Sequence, residues 1–435
     1  MGAPVPGAAR IPDVTELPKS APDEVAMAPP QARSAVVIGA GPTGLASALA
    51  LAAVGVDVAL AAPPFEAAQA SADTRTTALL LSSIELLKNL GAWDLVAHES
   101  QELRAIRIVD DTGGLLRAPE VSFRAAELGL ASFGANLANS HLLQALARLA
   151  RAHPRIAWHA TTGVSGVMAS VDGVRVALTE GGVLTASLLI GADGARSLAR
   201  RSAGIGAKVW SYPQLAVCGA FAHARAHDDT TIELQRRAGP LTLVPLKERR
   251  SSFVWVEEPE EAARLAGLGE AAFLSELYAR TRGVLGPLCA LSPCARYPLR
   301  GLSAERMAGA RTALVGEAAH VIPPIGAQGL NLSLRDAASL AECVAKTCAQ
   351  GGDIGGARTL AAYEAARASD VASRTLLIDL INRSLLSPLS PLAAARGVLL
   401  HLFANSQTLR RAAMRLGLEP PGPLPPLMRP GAAAP

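Results

Sequence analysis

The pattern of apolar and polar residues predicts a β-α-β unit near the start of the chain. A short apolar run over 35–38 leads into a glycine-rich turn, an Ala/Leu-rich helix that reaches Val54, and a second apolar run over 56–60. This succession predicts the first unit of a doubly wound α/β domain. The uncharged stretch over 36–56 is also long enough to cross a membrane, but Pro42 and the glycines inside it favour the turn.

Two further stretches show the shorter pattern of antiparallel strands. Residues 104–125 and 208–300 contain short runs rich in β-branched and aromatic residues, with one helical stretch over 260–282. We therefore predict a second sheet inserted into the α/β domain. The predicted organisation is a disordered extension over 1–33, α/β-domain segments over 34–103, 139–207 and 301–350, second-sheet segments over 104–138 and 208–300, helices over 351–418, and a disordered tail over 419–435.

Two local assignments rest on single apolar runs. The segment that follows Arg75 is predicted to be helical as far as about Leu90. The run over 184–190 predicts one buried strand, which enters an acid-glycine turn at Asp193 and Gly194.

Composition narrows the functions that this fold could serve. The chain has 435 residues, of which 50% are hydrophobic and 18% are charged, and its net charge is +4. No basic block is interleaved with aromatic residues, so a nucleic-acid partner is not expected. The five cysteines include no Cys-x-x-Cys pair and the eight histidines show no ligand spacing, which argues against a disulfide framework and a metal site. We expect a reducing, cytoplasmic compartment.

Three turns are the clearest candidates for a ligand-binding site. Each follows a buried strand and leads into a helix, so that backbone N–H groups and a positive helix end face one point. The first is Gly-x-Gly-x-x-Gly, whose second glycine lets the backbone approach a pyrophosphate and whose third lets the helix pack on the strand. Three such turns in one chain favour one shared ligand. They are the turns at 39–44, 191–197 and 316–331.

One expected element of a dinucleotide site is missing. The second strand ends Leu-Ala-Ala-Pro-Pro at 60–64, where a ribose-binding acid would normally stand. Glu66 lies two residues further on and either reaches the ribose or does not, so we assign no ribose-binding residue. Arg75 either meets the pyrophosphate or is an ordinary solvated arginine.

The order of these motifs resembles that of the FAD-dependent aromatic-ring monooxygenases. The matching motifs are the glycine turn, Asp-x-Arg-x-x-Ala-Leu at 73–79, Gly-Ala-Asp-Gly-x-x-Ser at 191–197, and Gly-Glu-Ala-Ala-His with Pro-Pro-Ile-Gly-Ala-Gln-Gly-Leu-Asn at 316–331. More narrowly, Gly-Pro-Leu-Thr-Leu-Val-Pro-Leu at 239–246 and Ile-Asp-Leu-Ile-Asn-Arg at 378–383 are similar to the ubiquinone-biosynthesis hydroxylases. The resemblance covers about 34–418.

The resemblance implies an α/β fold of the aromatic hydroxylase type, with a Rossmann-like FAD-binding domain, an inserted β-sheet substrate domain and a helical C-terminus. It implies that the glycine turn and Arg75 hold the pyrophosphate, and that Glu317, where the family usually has Asp, binds nearby or along the ribityl chain. It implies that Asp193 touches FAD and that the loop at 326–331 faces the isoalloxazine. The cofactor-binding residues expected from it are Gly39, Gly41, Gly44, Arg75, Asp193, Gly194, Glu317, Pro324, Gly326, Gln328, Gly329, Leu330 and Asn331.

The implied reaction uses FAD, with NAD(P)H as the expected reductant, and O₂. A flavin C4a-hydroperoxide would transfer its distal hydroxyl to the aromatic ring of a polyprenylated phenol or quinol of ubiquinone biosynthesis. No catalytic side chain is assigned. Two alternatives stay open. One is a monooxygenase of a small soluble aromatic compound, which several buried arginines over 208–300 would favour. The other is a prenyl-binding protein without flavin chemistry, against which the intact Gly-Ala-Gln-Gly-Leu-Asn loop argues.

The predicted C-terminal helices are apolar and carry several arginines over 370–384 and 393–416. They form either a helical cap on the core or a basic amphipathic surface. Such a surface would serve peripheral contact with the inner membrane, formation of a homo-oligomer, or docking in a ubiquinone-biosynthesis complex. The helices also suit a lipid-tailed aromatic substrate.

Overall fold

A computed structural model describes residues 34–66, 73–113, 118–386 and 391–432. The expected disorder of 1–33 lies outside these residues.

The secondary structure alternates throughout the described chain. The strands are β1 (Ser34–Ile38), β2 (Asp57–Ala62), β3 (Thr76–Leu80), β4 (Gln101–Leu103), β5 (Ala105–Asp110), β6 (Val121–Arg124), β7 (Gly134–Ala138), β8 (Ile156–Ala160), β9 (Val164–Ala169), β10 (Val174–Leu178), β11 (Val183–Ala186), β12 (Leu188–Gly191), β13 (Ala207–His223), β14 (Thr230–Gln235), β15 (Leu241–Leu246), β16 (Arg250–Glu257), β17 (Leu288–Cys289), β18 (Ala295–Ala304), β19 (Ala308–Gly309), β20 (Thr312–Leu314) and β21 (His320–Val321). The helices are α1 (Pro42–Ala53), α2 (Leu81–Asn89), α3 (Trp93–Val96), α4 (Asn139–Ala152), α5 (Leu198–Ser202), α6 (Pro259–Ala266), α7 (Glu270–Arg280), α8 (Gln328–Ala349), α9 (Ala357–Leu386), α10 (Pro391–Asn405) and α11 (Gln407–Leu418).

The first domain is built on a parallel sheet in the order β20-β12-β1-β2-β8, with β19 antiparallel at the edge. β1 has a strand on each side, and Val36 and Val37 are fully buried within it. A central parallel strand is covered on both faces, which explains its unbroken apolar run. Helices α1, α4 and α8 contribute to the same hydrophobic core. This is the Rossmann-like arrangement predicted from the first β-α-β unit.

The second sheet has the order β21-β18-β13-β16-β15-β14-β5-β6, and β17 pairs with β13. Its strands alternate in burial because one face packs on α6 and α7, where Phe253, Trp255 and Phe273 form the centre of a separate core. The opposite face is turned toward the first domain and the C-terminal helices. The predicted fold class, an α/β domain with an inserted sheet and a helical C-terminus, is confirmed.

The last helices run from the first domain across the second sheet. On α9, Asp379 accepts from the hydroxyl of Tyr212 at 2.5 Å, and Asn382 donates to the side chain of Gln214 at 2.9 Å. Residues of α10 and α11 pack with Phe123 of β6 in a third apolar cluster. None of the helices in the described ranges is both long and apolar enough to span a bilayer.

Several local predictions were wrong. The segment after Arg75 is not helical at once, because Thr76–Leu80 first pairs antiparallel with β7 and the helix begins only at Leu81. The run over 184–190 is two strands: β11 completes a hairpin sheet with β10, and β12 enters the parallel sheet. The helical stretch over 260–282 is likewise divided into α6 and α7.

Two further predictions, one about a sheet and one about the C-terminal tail, also differ from the structure. β7, which we placed with the second sheet, forms a small sheet with β3 and β4. The tail over 419–432 is not disordered, since Leu427 and Met428 are buried in the first domain's core. The side-chain amide of Asn89 holds this tail by donating to the carbonyls of Leu427 and Arg429.

Candidate cofactor site

The three predicted turns meet at one edge of the parallel sheet. β1, β12 and β20 are neighbours with the same direction, so their carboxyl ends lie side by side. Gly39, after β1, lies against Ala192, after β12. Gly316, after β20, lies against the side chain of Thr43 at the start of α1. The turns therefore line a single site.

The glycines of the first turn have different roles. Gly39 has a φ of 104°, and a Cβ there would overlap the backbone of Ala192. A Cβ on Gly44 would overlap the carbonyl of Gly39. Gly41, in contrast, would carry a Cβ with no protein atom within 4 Å, and α1 begins directly after it with no acidic residue in its first turn. Gly41 thus leaves the positive end of α1 open to an anion.

Asp193 caps the short helix α5 at the second turn. Its Oδ2 accepts from the backbone N–H groups of Leu198 at 2.6 Å and Ala199 at 3.1 Å. Its Oδ1 is buried and has no partner within the described protein. Gly194 follows with a φ of 76°, which lets the chain turn. One carboxylate oxygen is therefore fixed by the fold, and the other is an acceptor that a bound hydroxyl would satisfy.

Glu317 lies exposed in a one-turn 3₁₀ helix, Gly316–Ala318, that is anchored from behind. The anchor is Asp336, which accepts from the N–H of Gly316 at 2.9 Å and pairs with His320 at 2.7 Å and Arg367 at 2.8 Å. Burial opposes ionisation of Asp336, but His320 and Arg367 hold its pKa below the usual value. His320 is therefore structural, and the buried charges fix the position of Glu317.

The loop before α8 presents backbone groups rather than side chains to the candidate site. Gly326 and Ala327 both have positive φ values, 63° and 56°, and side-chain positions at Gly326 and Gly329 are open. Pro324 is exposed beside them, whereas Leu330 is half-buried. The first N–H groups of α8 have no intrahelical partner, so this loop presents donors to an electron-rich edge.

Two side chains of this loop serve the fold instead. The amide of Asn331 is fully buried: it accepts from the N–H of Leu80 and donates to the carbonyls of Ala78 and Ala327. Gln328 donates to the carbonyl of Gly417, at the end of α11. Asn331 and Gln328 thus bind the loop to β3 and to the C-terminal helices, while the Oε1 atom of Gln328 is buried without a partner in the described protein.

Arg75 lies between the cofactor site and the second sheet. Its guanidinium donates to Asp73 at 2.7 and 2.8 Å and stacks on the ring of Tyr297 at 4.9 Å. The hydrogen bond to Asp73 raises the pKa of Arg75, and Glu317 adds to the effect from across the site. Arg75 is thus oriented rather than freely solvated, and it can meet a pyrophosphate with its remaining donors.

This donor set fits FAD. The open end of α1, Arg75 and the free oxygen of Asp193 suit a diphosphate with hydroxyl groups, and the loop at 326–331 suits a flat ring edge. The ribose-binding acid is absent here also, because β2 ends in Ala61 and Ala62 and Glu66 is exposed beyond two prolines. That these residues touch the cofactor stays a prediction.

Sequence reasoning missed the residues that hold the binding groups in place. Tyr297, on a distant strand, supports Arg75 without any sequence signal near it. Thr43 and Ala192 determine which glycines cannot be replaced, and this emerges only when the turns are packed together. Asp73 could have been found, because it stands two residues before Arg75 in the same motif.

Comparisons with known proteins agree with this geometry. The model of the FAD binding domain family (FAD_binding_3) matches residues 33–376. The chain is 34% identical over 414 residues to ubiquinone hydroxylase UbiL of Rhodospirillum rubrum, covering 93% of this chain and 95% of that one. It is 30% identical to the Escherichia coli 3-demethoxyubiquinol 3-hydroxylase, covering 88% and 97%.

Solved structures show the same fold. HpxO of Klebsiella pneumoniae, a variant complexed with FAD, superposes with a TM-score of 0.70 at 22% identity, over 89% of this chain and 99% of that one. The fold, the convergent turns and the full-length relatives lead to one assignment. The chain belongs to the FAD-dependent aromatic-ring monooxygenases, within the family of ubiquinone-biosynthesis hydroxylases.

Proposed function

We propose that this monooxygenase hydroxylates the aromatic ring of a polyprenylated phenol or quinol in ubiquinone biosynthesis. The observation that carries the proposal is the similarity to UbiL, named a ubiquinone hydroxylase, over nearly the whole of both chains. The name of the E. coli relative specifies a demethoxyubiquinol substrate. NAD(P)H is the proposed reductant.

The substrate would lie on the open face of the second sheet. Small and neutral side chains cover much of this face, among them Cys218, Val254 and Thr242, which are neighbours across β13, β16 and β15. Burial raises the pKa of the Cys218 thiol to about 12, so it stays neutral. Such a surface suits an aromatic ring with an apolar tail.

The chain's own residues position the reactants and exclude water. FAD, when bound, supplies the oxygen-activating chemistry. The first turn and Arg75 would hold its diphosphate, and the loop at 326–331 would hold its ring against the sheet face. The hydrogen bond from Gln328 to Gly417 holds this loop against α11, and α11 would limit the access of solvent to the bound ring.

A small carboxylated aromatic substrate is the second candidate, and the second sheet argues against it. Among residues 208–300, Arg236 is the arginine that is buried, and Glu257 neutralises it at 2.5 Å. Arg236 also lies near the ring of Trp255, in the core that faces α6 and α7. No buried arginine of this range is therefore free to bind a substrate carboxylate.

We further propose that the C-terminal helices contact an anionic membrane surface, from which a lipid-tailed substrate would be taken. Between Asp379 and Glu419 the sequence has no acidic residue and five arginines, of which Arg411 and Arg415 are exposed and have no carboxylate partner among the described residues. Arg383 and Arg410 pair with Asp379 and Glu127, and Arg396 is half-buried. Large apolar side chains are exposed along the same helices: Leu376, Leu377, Leu380, Val398, Leu399, Leu402, Leu409 and Leu416. Exposed leucines beside arginines are typical of interfacial helices.

Vesicle sedimentation tests the membrane contact. The protein should bind vesicles with anionic lipid, and less at high salt, whereas Leu399→Gln with Leu402→Gln should weaken binding. Glu258→Gln, on the far side of the second sheet, is the matched control. Failure to bind together with a concentration-dependent increase in mass would show that this surface joins copies of the chain instead.

The enzymatic proposal is tested by deleting the gene in its host and analysing quinones. A deletion strain should accumulate a prenylated precursor that lacks one ring oxygen, and the purified yellow protein should hydroxylate that precursor. Normal ubiquinone in the deletion strain, with no second hydroxylase able to replace it, would contradict the proposal. A purified protein that takes up no FAD would contradict it as well.

A further inference from the structure

A carboxyl group stands on the open face of the second sheet. Glu233 is on β14, between Ile232 and Leu234, which both point into the core on α6 and α7. Because side chains alternate along a strand, Glu233 points to the opposite face. The pairing registers place it beside Thr242 of β15 and Ile108 of β5.

Glu233 is the last of four side chains that form a row across the sheet, and the other end of this row lies toward the cofactor site. The row across the sheet runs Cys218, Val254, Thr242, Glu233. At about 4.8 Å between strands, Glu233 is roughly 14 Å from Cys218. Arg75 stacks on Tyr297 of β18, which pairs with Ala216, two residues before Cys218 on β13, so the Cys218 end of the row is the end nearer to Arg75. Glu233 is at the other end.

Other elements contact this face of the sheet near both ends of the row. On the cofactor side, Thr76 and Asn136 contact Ser252 through their side chains, joining β3 and β7 to this face. On the other side, Leu400 and Met414 of the C-terminal helices pack in the apolar cluster that contains Ile108. Glu233 therefore faces the space between the cofactor domain and the C-terminal helices.

No cation neutralises Glu233 among the described residues. The side chain bonded to it is Gln235, whose amide donates to Oε1 at 3.4 Å. Burial raises the pKa of Glu233 above its usual value. Two residues further along this face of β14, the Oε1 atom of Gln235 is buried without a partner in the described protein. The same holds for the Nε atom of Arg396 on α10, whose charge interacts with that of Asp110, the β5 neighbour of Gln235. A polar ligand would satisfy these groups.

We propose that Glu233 binds the ring hydroxyl of the substrate and accepts its proton during hydroxylation; this rests on the proposed function. Loss of that proton gives a phenolate, whose ring carbon would donate an electron pair to one oxygen atom derived from O₂. The new C–O bond would form as the O–O bond breaks, and the second oxygen atom would leave as water, with NAD(P)H as the source of the two electrons that this requires. The resulting dienone then loses its ring C–H proton to solvent. Glu233 returns the first proton to the original oxygen, so the aromatic ring and the carboxylate are both restored.

The charged neighbours of Glu233 are few. Its cross-strand partners Thr242 and Ile108 do not titrate in the relevant range. Among the described residues, β5 carries Asp110, whose burial opposes ionisation but whose hydrogen bonds to Ala118 and Thr112 hold its pKa below the usual value, and α10 carries Arg396, whose pKa is lowered by burial. β5 also carries Arg107, which alternates to the opposite face from Ile108, and α10 also carries the exposed His401. An acid limb in the rate profile above the usual glutamate range is therefore assigned to Glu233.

The test compares Glu233→Gln with the control Glu258→Gln, using holoenzyme that is chemically reduced and then mixed with oxygen and a short-chain prenylated phenol. We expect Glu233→Gln to load FAD normally but to lose about 10²-fold in hydroxylation rate, as is typical for a lost general base. The acid limb should disappear. A ring-fluorinated phenol, whose hydroxyl ionises more readily, should regain rate in this variant, and Glu233→Asp should retain part of it.

Two outcomes would overturn the inference. One is a Glu233→Gln enzyme that hydroxylates at the wild-type rate. The other is a slower enzyme that keeps the acid limb and gains nothing from fluorination, which would indicate a structural role. If wild-type enzyme hydroxylates no prenylated phenol or quinol at all, the proposed function fails and this inference fails with it.

Discussion

Replacing Gly41 and Gly44 separately by alanine should distinguish cofactor contact from folding. The two positions are three residues apart in one turn, yet their surroundings differ. A Cβ on Gly41 meets no protein atom within 4 Å, whereas a Cβ on Gly44 would overlap the carbonyl oxygen of Gly39 and lie 3.0 Å from its carbonyl carbon. The obstacle at Gly44 is backbone, which cannot turn aside as a flexible side chain would.

The expected magnitudes follow from these distances. Gly44→Ala should destabilise the apoprotein by about 1–3 kcal/mol, the usual cost of overpacking a tight contact. Gly41→Ala should leave apoprotein stability within about 0.5 kcal/mol. Its methyl group would instead hold the diphosphate away from the end of α1. Losing one charge-assisted hydrogen bond there costs about 1.5–3 kcal/mol, or roughly 10- to 150-fold in the Kd for FAD.

Two measurements check this pair. Thermal unfolding of the apoproteins reports on stability, and titration with FAD, followed by flavin fluorescence, reports on affinity. Gly166→Ala is the matched control, because its added methyl is also unobstructed but lies on β9, outside the turn. Wild-type FAD affinity in Gly41→Ala would refute the assignment of this turn to the diphosphate. An unchanged melting temperature in Gly44→Ala would refute the packing argument.

Three further predictions concern the groups behind the site. Asp336→Asn should destabilise the protein by on the order of 3 kcal/mol at pH 7, because it removes one of the two carboxylates that neutralise the buried Arg367, the other being Asp370, and also removes the carboxylate partner of His320. Since the folded-state pKa of Asp336 is depressed, this difference should shrink as the pH of chemical unfolding falls below about 4. Asn331→Ala should lower the free energy of unfolding by about 1–3 kcal/mol, because the half-buried N–H of Leu80 loses its acceptor and the carbonyls of Ala78 and Ala327 lose a donor; equal stability of the two proteins would contradict this. Arg75→Gln should weaken FAD binding about 10-fold in calorimetric titrations, whereas Glu85→Gln, which breaks a pair with Lys88 on α2, should not.

The local pattern of apolar residues was sufficient to predict several helices and strands of the fold. Helix α4, Asn139–Ala152, is one example, since its buried apolar positions follow the helical period. The buried strands β1 and β12 were also evident, because parallel strands covered on both faces are apolar without interruption. Their glycine-rich continuations then indicated where a ligand would bind.

The errors arose where a distant partner decides the structure. Thr76–Leu80 became a strand because β7, more than fifty residues later, offers it a complete antiparallel ladder. The β-branched pair Thr76 and Thr77 was the available signal for this. Likewise, the tail around Leu427 is rich in proline and reads as disordered, but a groove of the first domain buries it. Neither partner can be identified from a local window.

The same long-range packing links the cofactor site to the surface that would receive the substrate. Arg75 belongs to the cofactor domain by sequence, but the ring on which it stacks, Tyr297, is on β18 of the second sheet. β3, which follows Arg75, bonds to Ser252 on the same sheet. A diphosphate that draws Arg75 toward the end of α1 would therefore act on the surface that receives the substrate. Because cofactor and substrate share this support, loading one should alter the binding of the other, and a domain assignment that treats them as separate modules would miss this coupling.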